Sequence, residues 1–377
     1  MKKIISILLT VTMLICGCSS PANVNETEPS NDATSDTTET TTGSENTTDQ
    51  ATTPTDESNA STENSTADPN NVVATPDKLP VNADTAVSQS PTNPPQVDGS
   101  HLIEPLGTIT ANSFEKHGKE LKIYGDLSAT DNRIIELESL LQSYSKKIGL
   151  VVWRKDGTRA LSYNTSQSFF SACTIKAGFI LNICKIIDSG AVSPDTLLTY
   201  EARHWHKGSG SIRYSAYGTK YTVSELIIKC LSISDNVAYK MLLEHFGLST
   251  YNEMVTSLGC NSLKVSKMWA STALPKDYII IWNEIYDYLQ SNAKMAPVLK
   301  EACTNTPFNY GTETLKEGVD YSHKSGDNFG ASAAYSDAGI VWEDNAYIYA
   351  VFTHSEGTPY DINLVDSCME LVYDLMK

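Results

Sequence analysis

The chain contains 377 residues, which allows one large domain or two to three smaller ones at about 100–200 residues per domain. Its net charge of −17 comes mostly from residues 19–105, which carry fifteen acidic residues, one lysine and no aromatic residue. Residues 106–377 hold all five Trp and all nineteen Tyr, enough for a hydrophobic core. The absence of a basic stripe argues against nucleic-acid binding, and the absence of a later run of about 20 apolar residues excludes a multi-pass membrane protein.

The first 18 residues have the pattern of an export signal. Lys2 and Lys3 precede an apolar stretch at 4–15 that is too short to span a membrane. The sequence ICGC at 15–18 resembles a bacterial lipobox, which implies that Cys18 becomes the lipidated first residue of the mature protein. An ordinary signal peptide cut near Cys18 is the alternative. We therefore expect an exported protein, held by its lipid on the outer face of the bacterial cell membrane and facing the cell wall.

Residues 19–105 are predicted to be a disordered linker. They are rich in Ser, Thr, Asp and Glu, and such a composition cannot bury enough apolar surface to offset the entropy lost on ordering. A flexible chain of this length spans roughly 50 Å, which would hold residues 106–377 away from the membrane.

Hydrophobic periodicity predicts the elements of the remaining part. In chain order they are a helix at 130–147, strands at 149–154 and 158–163, a helix at 173–188, an irregular stretch at 191–221, helices at 222–233, 235–246, 250–258 and 274–290, strands at 321–326, 333–342 and 346–353, and a helix at 361–376. Thr130 or Asp131 caps the first helix, Thr222 and Glu225 form a capping box, and Asp361 caps the last helix. Short links between strands favour an antiparallel sheet. The helices between the two groups of strands then form a second lobe, and a cleft between this lobe and the sheet is the expected place for a site.

Three short motifs carry residues suited to covalent chemistry. Cys173 and Lys176 begin an apolar helix and share one helical face, where a helix N-terminus and a cation both favour a thiolate. Taken alone, the pair is a weak signal, because cysteine is often a buried core residue. The other two motifs are Ser234-Asp235-Asn236 between two helices, by itself more often a helix cap, and His323-Lys324-Ser325-Gly326 on a strand, by itself an ordinary edge segment.

The strand motif has its own geometry. Lys324 and Ser325 point to opposite faces of the sheet, so they approach a site differently. Gly326 lets the backbone come close to a ligand.

Together and in this order, the motifs resemble the S-x-x-K, S-D-N and K-T/S-G signature of class A β-lactamases and penicillin-binding proteins. The resemblance covers about residues 130–377. It implies an α+β fold, with a five-stranded antiparallel sheet flanked by helices and an all-α lobe beside it. Cys173 stands where the family has a nucleophilic serine.

The resemblance also implies a role for each matched residue. Cys173 attacks the substrate and Lys176 accepts its proton. The other implied roles are a proton relay to the leaving nitrogen and carboxylate binding by Ser234 and Lys324, an amide contact from Asn236, carboxylate binding by Ser325, close backbone approach at Gly326, and an oxyanion hole from the N–H groups of Cys173 and Asp327. An aspartate at 327 is unusual, because its carboxylate has to point away from a developing oxyanion.

A second departure lies downstream of the Ser-Asp-Asn motif. Class A enzymes carry an Ω-loop glutamate that activates the deacylating water. The corresponding stretch at 259–272 contains neither Glu nor Asp. Without that general base, we predict poor β-lactam turnover.

Other candidates are weaker. His204-Trp205-His206 lacks a third metal-ligand pattern, so no metal and no other cofactor is predicted. Trp205, Tyr214 and Tyr217 form either an aromatic wall of the cleft or an exposed loop. The six cysteines after residue 105 have no disulfide-like spacing, which favours buried thiols.

Two functions remain open from the sequence. The first is an exported, monomeric hydrolase or acyl-transfer protein acting on β-lactams or peptidoglycan stem-peptide amides through a covalent intermediate. The second is a catalytically silent module that binds cell-wall peptide. The retained lysines, serines and Asn236 favour the first, whereas the lost serine and the lost Ω-loop carboxylate favour the second.

Overall fold

The computed structural model describes residues 120–270, 272–304, 306–312, 315 and 318–377; the expected export signal and linker lie outside them. The strands are β1 (Lys122–Gly125), β2 (Ile148–Arg154), β3 (Arg159–Tyr163), β4 (Leu197–Thr199), β5 (Lys220–Thr222), β6 (Asp320–Asn328), β7 (Ala334–Trp342) and β8 (Tyr347–Thr353). The helices are α1 (Asn132–Ser143), α2 (Ile175–Asp188), α3 (Val223–Ser232), α4 (Asn236–Phe246), α5 (Ser249–Ser257), α6 (Pro275–Leu289), α7 (Ala296–Thr304) and α8 (Pro359–Met376).

Six strands form the main sheet of the described residues, in the order β1-β3-β2-β8-β7-β6 with every neighbouring pair antiparallel. The α+β fold class expected from the sequence is confirmed. The sheet has one strand more than expected, because the four-residue β1 pairs with β3 at one edge and is too short for its alternation to be recognised. Strand β6 forms the opposite edge.

The main sheet separates two hydrophobic cores. Along β2, Leu150 and Val152 join the core that contains buried residues of α1 and α8, whereas Val151 joins the core of the helical lobe. Strand β8 alternates in the same way, with Tyr349 on the first side and Ala350 on the second. The period-two pattern therefore fixes which face of each strand looks towards the helical lobe.

Helix α2 lies at the centre of the helical lobe, in contact with α3, α5, α6 and α7. It is apolar on almost all sides, as expected of a helix with neighbours all around it. The stretch expected to be irregular contains a small antiparallel hairpin of β4 and β5. Among the helices in the described ranges, none is both long and apolar enough to cross a membrane.

Most predicted elements are found within a few residues of their expected bounds, and the capping box of Thr222 and Glu225 is confirmed. Asp361 as the cap of the last helix is wrong: Thr358 is the N-cap, and Asp361 is the third residue of the same capping box. Helix α7 was not predicted. Its nine residues show too little periodicity, and it is supported by packing against α3.

Candidate active site

Cys173 lies on a single turn that leads into α2, with its side chain half-buried. The turn is held by Ser171, whose N–H donates to the Ala270 carbonyl at 2.9 Å and whose hydroxyl accepts from the Ala270 N–H at 3.1 Å. Ala172 adopts the left-handed backbone conformation, with φ of 43°. The other five cysteines of the described residues are buried and free, as expected. Among the described residues, Cys173 is therefore the cysteine whose thiol a ligand can reach.

Lys176 brings the first two motifs together. Its ammonium is fully buried and donates to the Ser234 carbonyl at 2.6 Å and to Asn236 Oδ1 at 2.7 Å. The Ser234 hydroxyl lies 3.3 Å from the same nitrogen. The Cys173 sulfur lies 3.9 Å from Asn236 Oδ1. The side chains of Cys173 and Lys176 thus meet at one amide oxygen.

The Ser-Asp-Asn turn is fixed from behind by Asp235. One carboxylate oxygen accepts from the N–H groups of Val237 and Ala238 at the start of α4, and the other accepts from the Ser211 N–H at 2.7 Å. A Cβ on Gly210 would lie 2.2 Å from the Asp235 carboxyl carbon, so only glycine fits there. Asn236 donates its amide to the Lys207 carbonyl, which leaves Oδ1 towards Lys176.

Strand β6 brings the third motif to the same place. Lys324 is buried, pairs with Ala338 on the side of the helical lobe, and donates to the Ser325 carbonyl at 2.8 Å. Burial lowers the pKa of Lys324, and the charge of Lys176 lowers it further. A Cβ on Gly326 would lie 2.7 Å from the Cys173 nitrogen. The sequence predicts that Gly326 lets the backbone approach a ligand; in the structure it lets β6 approach the backbone of Cys173.

Two small cavities open where the motifs meet. The Cys173 cavity, of about 50 Å³, is lined by residues that include Cys173, Phe170, His206, Asn236, Trp269 and Asp327. The Ser234 cavity, of about 10 Å³, is lined by Ser209, Ser234, Phe308, Ser325 and Asp327. Asp327 is the one carboxylate that lines them among the described residues, and burial raises its pKa against the opposing effect of Lys324.

An aromatic pair occupies the wall near Lys176. The Lys176 ammonium lies 5.6 Å from the ring centres of both Tyr239 and Trp269, which are 5.4 Å from each other. The Tyr239 hydroxyl donates to the Met268 carbonyl, which ties the loop between α5 and α6 to α4. This loop contains neither Glu nor Asp and presents an indole ring to Lys176.

Of the two alternatives for Trp205, Tyr214 and Tyr217, the structure shows the exposed loop, because these side chains are exposed and do not line either cavity. The rings that line the cavities are those of Phe170, Trp269 and Phe308. Sequence reasoning missed them, together with Ser209 and His206 as lining residues. Position is the signal that could have found Phe170 and Trp269, since one precedes Cys173 by three residues and the other lies in the loop that lacks a carboxylate.

The two histidines of the weak metal motif have separate environments. His204 accepts from the Glu201 N–H at 3.0 Å through Nδ1, and its Nε2 lies 3.0 Å from a Glu244 oxygen. His206 faces the Cys173 cavity, and burial lowers its pKa. Within the described ranges, no group of three or more His, Cys, Asp or Glu side chains is placed to hold a metal ion.

Comparisons with known proteins relate this arrangement to one family. The sequence model described as "Beta-lactamase enzyme family" matches residues 132–375, well over half of the chain. No curated protein matches the chain. Among solved structures, PBP-A is similar, with a TM-score of 0.60 and 21% identity over 65% of this chain and 96% of that one.

Two structures of β-lactamases have the same likeness. The enzyme from Sphaerobacter thermophilus has a TM-score of 0.57 and 18% identity, over 65% of this chain and 96% of that one. The TLA-1 extended-spectrum β-lactamase has a TM-score of 0.59 and 19% identity, over 66% of this chain and 100% of that one. At such identities the likeness shows a shared fold.

Proposed function

Because the chain belongs to the beta-lactamase enzyme family, we propose that it is a thiol-dependent acyl-transfer protein that forms a covalent intermediate on Cys173. Its substrates are the amide bonds of β-lactams or of peptidoglycan stem peptides. One observation carries the proposal: the Lys176 ammonium and the Cys173 thiol contact the same oxygen of Asn236, within a cleft closed by β6. A buried lysine beside a half-exposed thiol is the arrangement of an activated nucleophile.

The first half of the reaction uses the residues of all three motifs. Lys176 takes part as the neutral amine: it accepts the proton of the Cys173 thiol, and the sulfur bonds to the amide carbon. The backbone N–H groups of Cys173 and Asp327 stabilise the oxyanion, since Gly326 lets these two backbone segments approach closely. The carbon–nitrogen bond then breaks, and the leaving nitrogen takes the proton that Lys176 holds. The proton passes through the Ser234 hydroxyl, whose oxygen lies 3.3 Å from the Lys176 nitrogen. The product is a thioester on Cys173.

The second half of the reaction is slow. Release of the acyl group by water needs a general base near the thioester. The loop between α5 and α6 supplies Trp269 in place of a carboxylate, and its ring lies near Lys176. We therefore propose that the protein holds its acyl group and turns β-lactams over poorly. A similar protein, a point mutant of PBP-A, is known as an acyl-enzyme complex with penicillin G, so this fold can hold such an adduct.

Intact mass spectrometry tests the proposal directly. The full-length protein is incubated with penicillin G and, in parallel, with its neutral carboxamide, each in large excess, and the adduct is located by peptide mapping. We expect one stable adduct on Cys173 in the wild type and none in Cys173→Ala. Cys368→Ala, which removes a buried thiol far along the chain, is the matched control and keeps the adduct. An adduct that persists in Cys173→Ala contradicts the proposal.

A silent binding module is the second candidate, and one observation favours it. The Cys173 cavity of about 50 Å³ is far smaller than the roughly 300–1,000 Å³ of most ligand sites, so a substrate enters only if its walls move. In this case the wild type forms no adduct. If Cys173→Ser then hydrolyses a chromogenic β-lactam, the site is one silenced by the loss of its serine.

A further inference from the structure

The Ser234 cavity has the character of an anion-binding site. The Ser234 and Ser325 side chains line it, and the buried Lys324 lies behind it, donating to the Ser325 carbonyl. Lys176 adds a second buried cation on the other side of Ser234. Hydroxyl groups beside two buried ammonium groups attract a carboxylate.

Asp327 places a carboxylate of the protein itself in this position. It follows Ser325 by two residues on β6, so the two side chains lie on the same face, and both line the Ser234 cavity. Lys324, Lys176 and Tyr310 act on its charge, and Cys173 and His206 line the Cys173 cavity together with it. Burial raises the pKa of Asp327, and the charge of Lys324 opposes that rise and favours the ionised carboxylate.

Tyr310 holds Asp327 in place. Its hydroxyl lies near enough to oppose the effect of burial on the pKa of Asp327, and its ring stacks on Tyr335 with the ring centres 4.3 Å apart. Tyr335 in turn pairs with Asp327 across β6 and β7. The carboxylate therefore has little freedom to leave the cavity when a ligand enters.

We propose that Asp327 is a specificity-determining residue that excludes a ligand carboxylate from the Ser234 cavity and favours acyl donors with a neutral or cationic group there. The proposal rests on the proposed function, because it defines the substrate class of the same site. Such a donor is a peptide amide followed by a carboxamide or an ammonium group. A free penicillin, which carries a carboxylate, is then the weaker ligand and acylates Cys173 only when it is in large excess.

Equilibrium binding tests this without requiring acylation. The full-length chain carrying Cys173→Ala is titrated at pH 8 with penicillin G and with its neutral carboxamide, and calorimetry gives both dissociation constants. We expect the carboxamide to bind at least ten times more tightly. Adding Asp327→Asn, which keeps the size and removes the charge, should abolish or reverse that preference.

The matched control is Asp320→Asn at the other end of β6, where an exposed aspartate pairs with Lys300. It should keep the preference for the carboxamide. Three results would overturn the inference. They are equal binding of the two ligands to the Cys173→Ala chain, an unchanged preference after Asp327→Asn, and no binding of either ligand. Failure of both penicillin G and its carboxamide to acylate Cys173 in the mass experiment would instead reject the proposed function, so the two failures are distinguishable.

Discussion

At the scale of single residues, two positions of the site have an unusual backbone. Ala172 and Ser234 have φ values of 43° and 55°, and neither residue type favours the left-handed region. Such conformations cost of order 1–3 kcal/mol and persist where the surroundings over-determine them. Here the bonds from Ser171 to Ala270 and from Ser209 to Ser234 provide that support. No local sequence signal predicts either conformation.

Asp361 shows how one buried carboxylate supports the fold. It accepts from the Tyr144 hydroxyl at 2.7 Å, from Lys146 at 2.8 Å and from the Thr358 N–H at 3.0 Å. Burial alone would raise the pKa of Asp361, but hydrogen bonds from Lys146, Ser355, Thr358 and Tyr144 together lower it below its usual value.

We expect Asp361→Asn to lower the free energy of unfolding by about 2 kcal/mol at pH 7, because it removes an ion pair and a charged acceptor. A carboxyl with a lowered folded-state pKa stabilises above its unfolded pKa of about 3.9 and loses that effect as the pH falls through the folded-state pKa. The difference between the two proteins should therefore shrink below about pH 4. Urea unfolding at pH 7 and pH 3 measures it. Glu370→Gln, on the exposed face of the same helix, is the control; a pH-independent difference contradicts the assignment.

At the scale of elements, the site joins one helix start, one helix junction and one sheet edge. The apolar pattern of α2 and the alternation of β6 are visible in the sequence, so the motifs could be assigned to the right elements. The loop between α5 and α6 is different. Its lack of a carboxylate could be seen in advance, but the position of Trp269 against Lys176 depends on how Tyr239 holds Met268.

Trp269→Glu tests whether this loop sets the lifetime of the acyl group. The change places a carboxylate on the wall of the Cys173 cavity. Since general-base catalysis contributes about 10²–10⁴-fold, we expect the Cys173 adduct to hydrolyse at least about tenfold faster. A pulse of labelled penicillin followed by mass spectrometry measures the decay. Trp269→Gln has a similar size without a base, so equal lifetimes in the two variants would contradict the explanation.

At the scale of the whole molecule, the proposed function depends on the lipid anchor that the sequence predicts. The lipobox-like ICGC sequence predicts that Cys18 carries the lipid, and two acyl chains suffice for stable anchoring. We expect labelled palmitate to be incorporated in a bacterial host by the wild type and by Cys16→Ser, but not by Cys18→Ser. Incorporation into Cys18→Ser would show that another residue carries the lipid, and incorporation into none of the three would favour an ordinary cleaved signal.

The sequence by itself determined the family, the antiparallel sheet with its helical lobe, and the candidate site residues of the three motifs. These follow from local patterns and from residue order along the chain. The tertiary structure alone decided that Lys176 meets Ser234 and Asn236, that Trp269 faces Lys176, and that Asp327 shares a cavity with Ser234. Such contacts join residues far apart in the chain, and their distances depend on how the two lobes pack across the sheet, which no local pattern encodes.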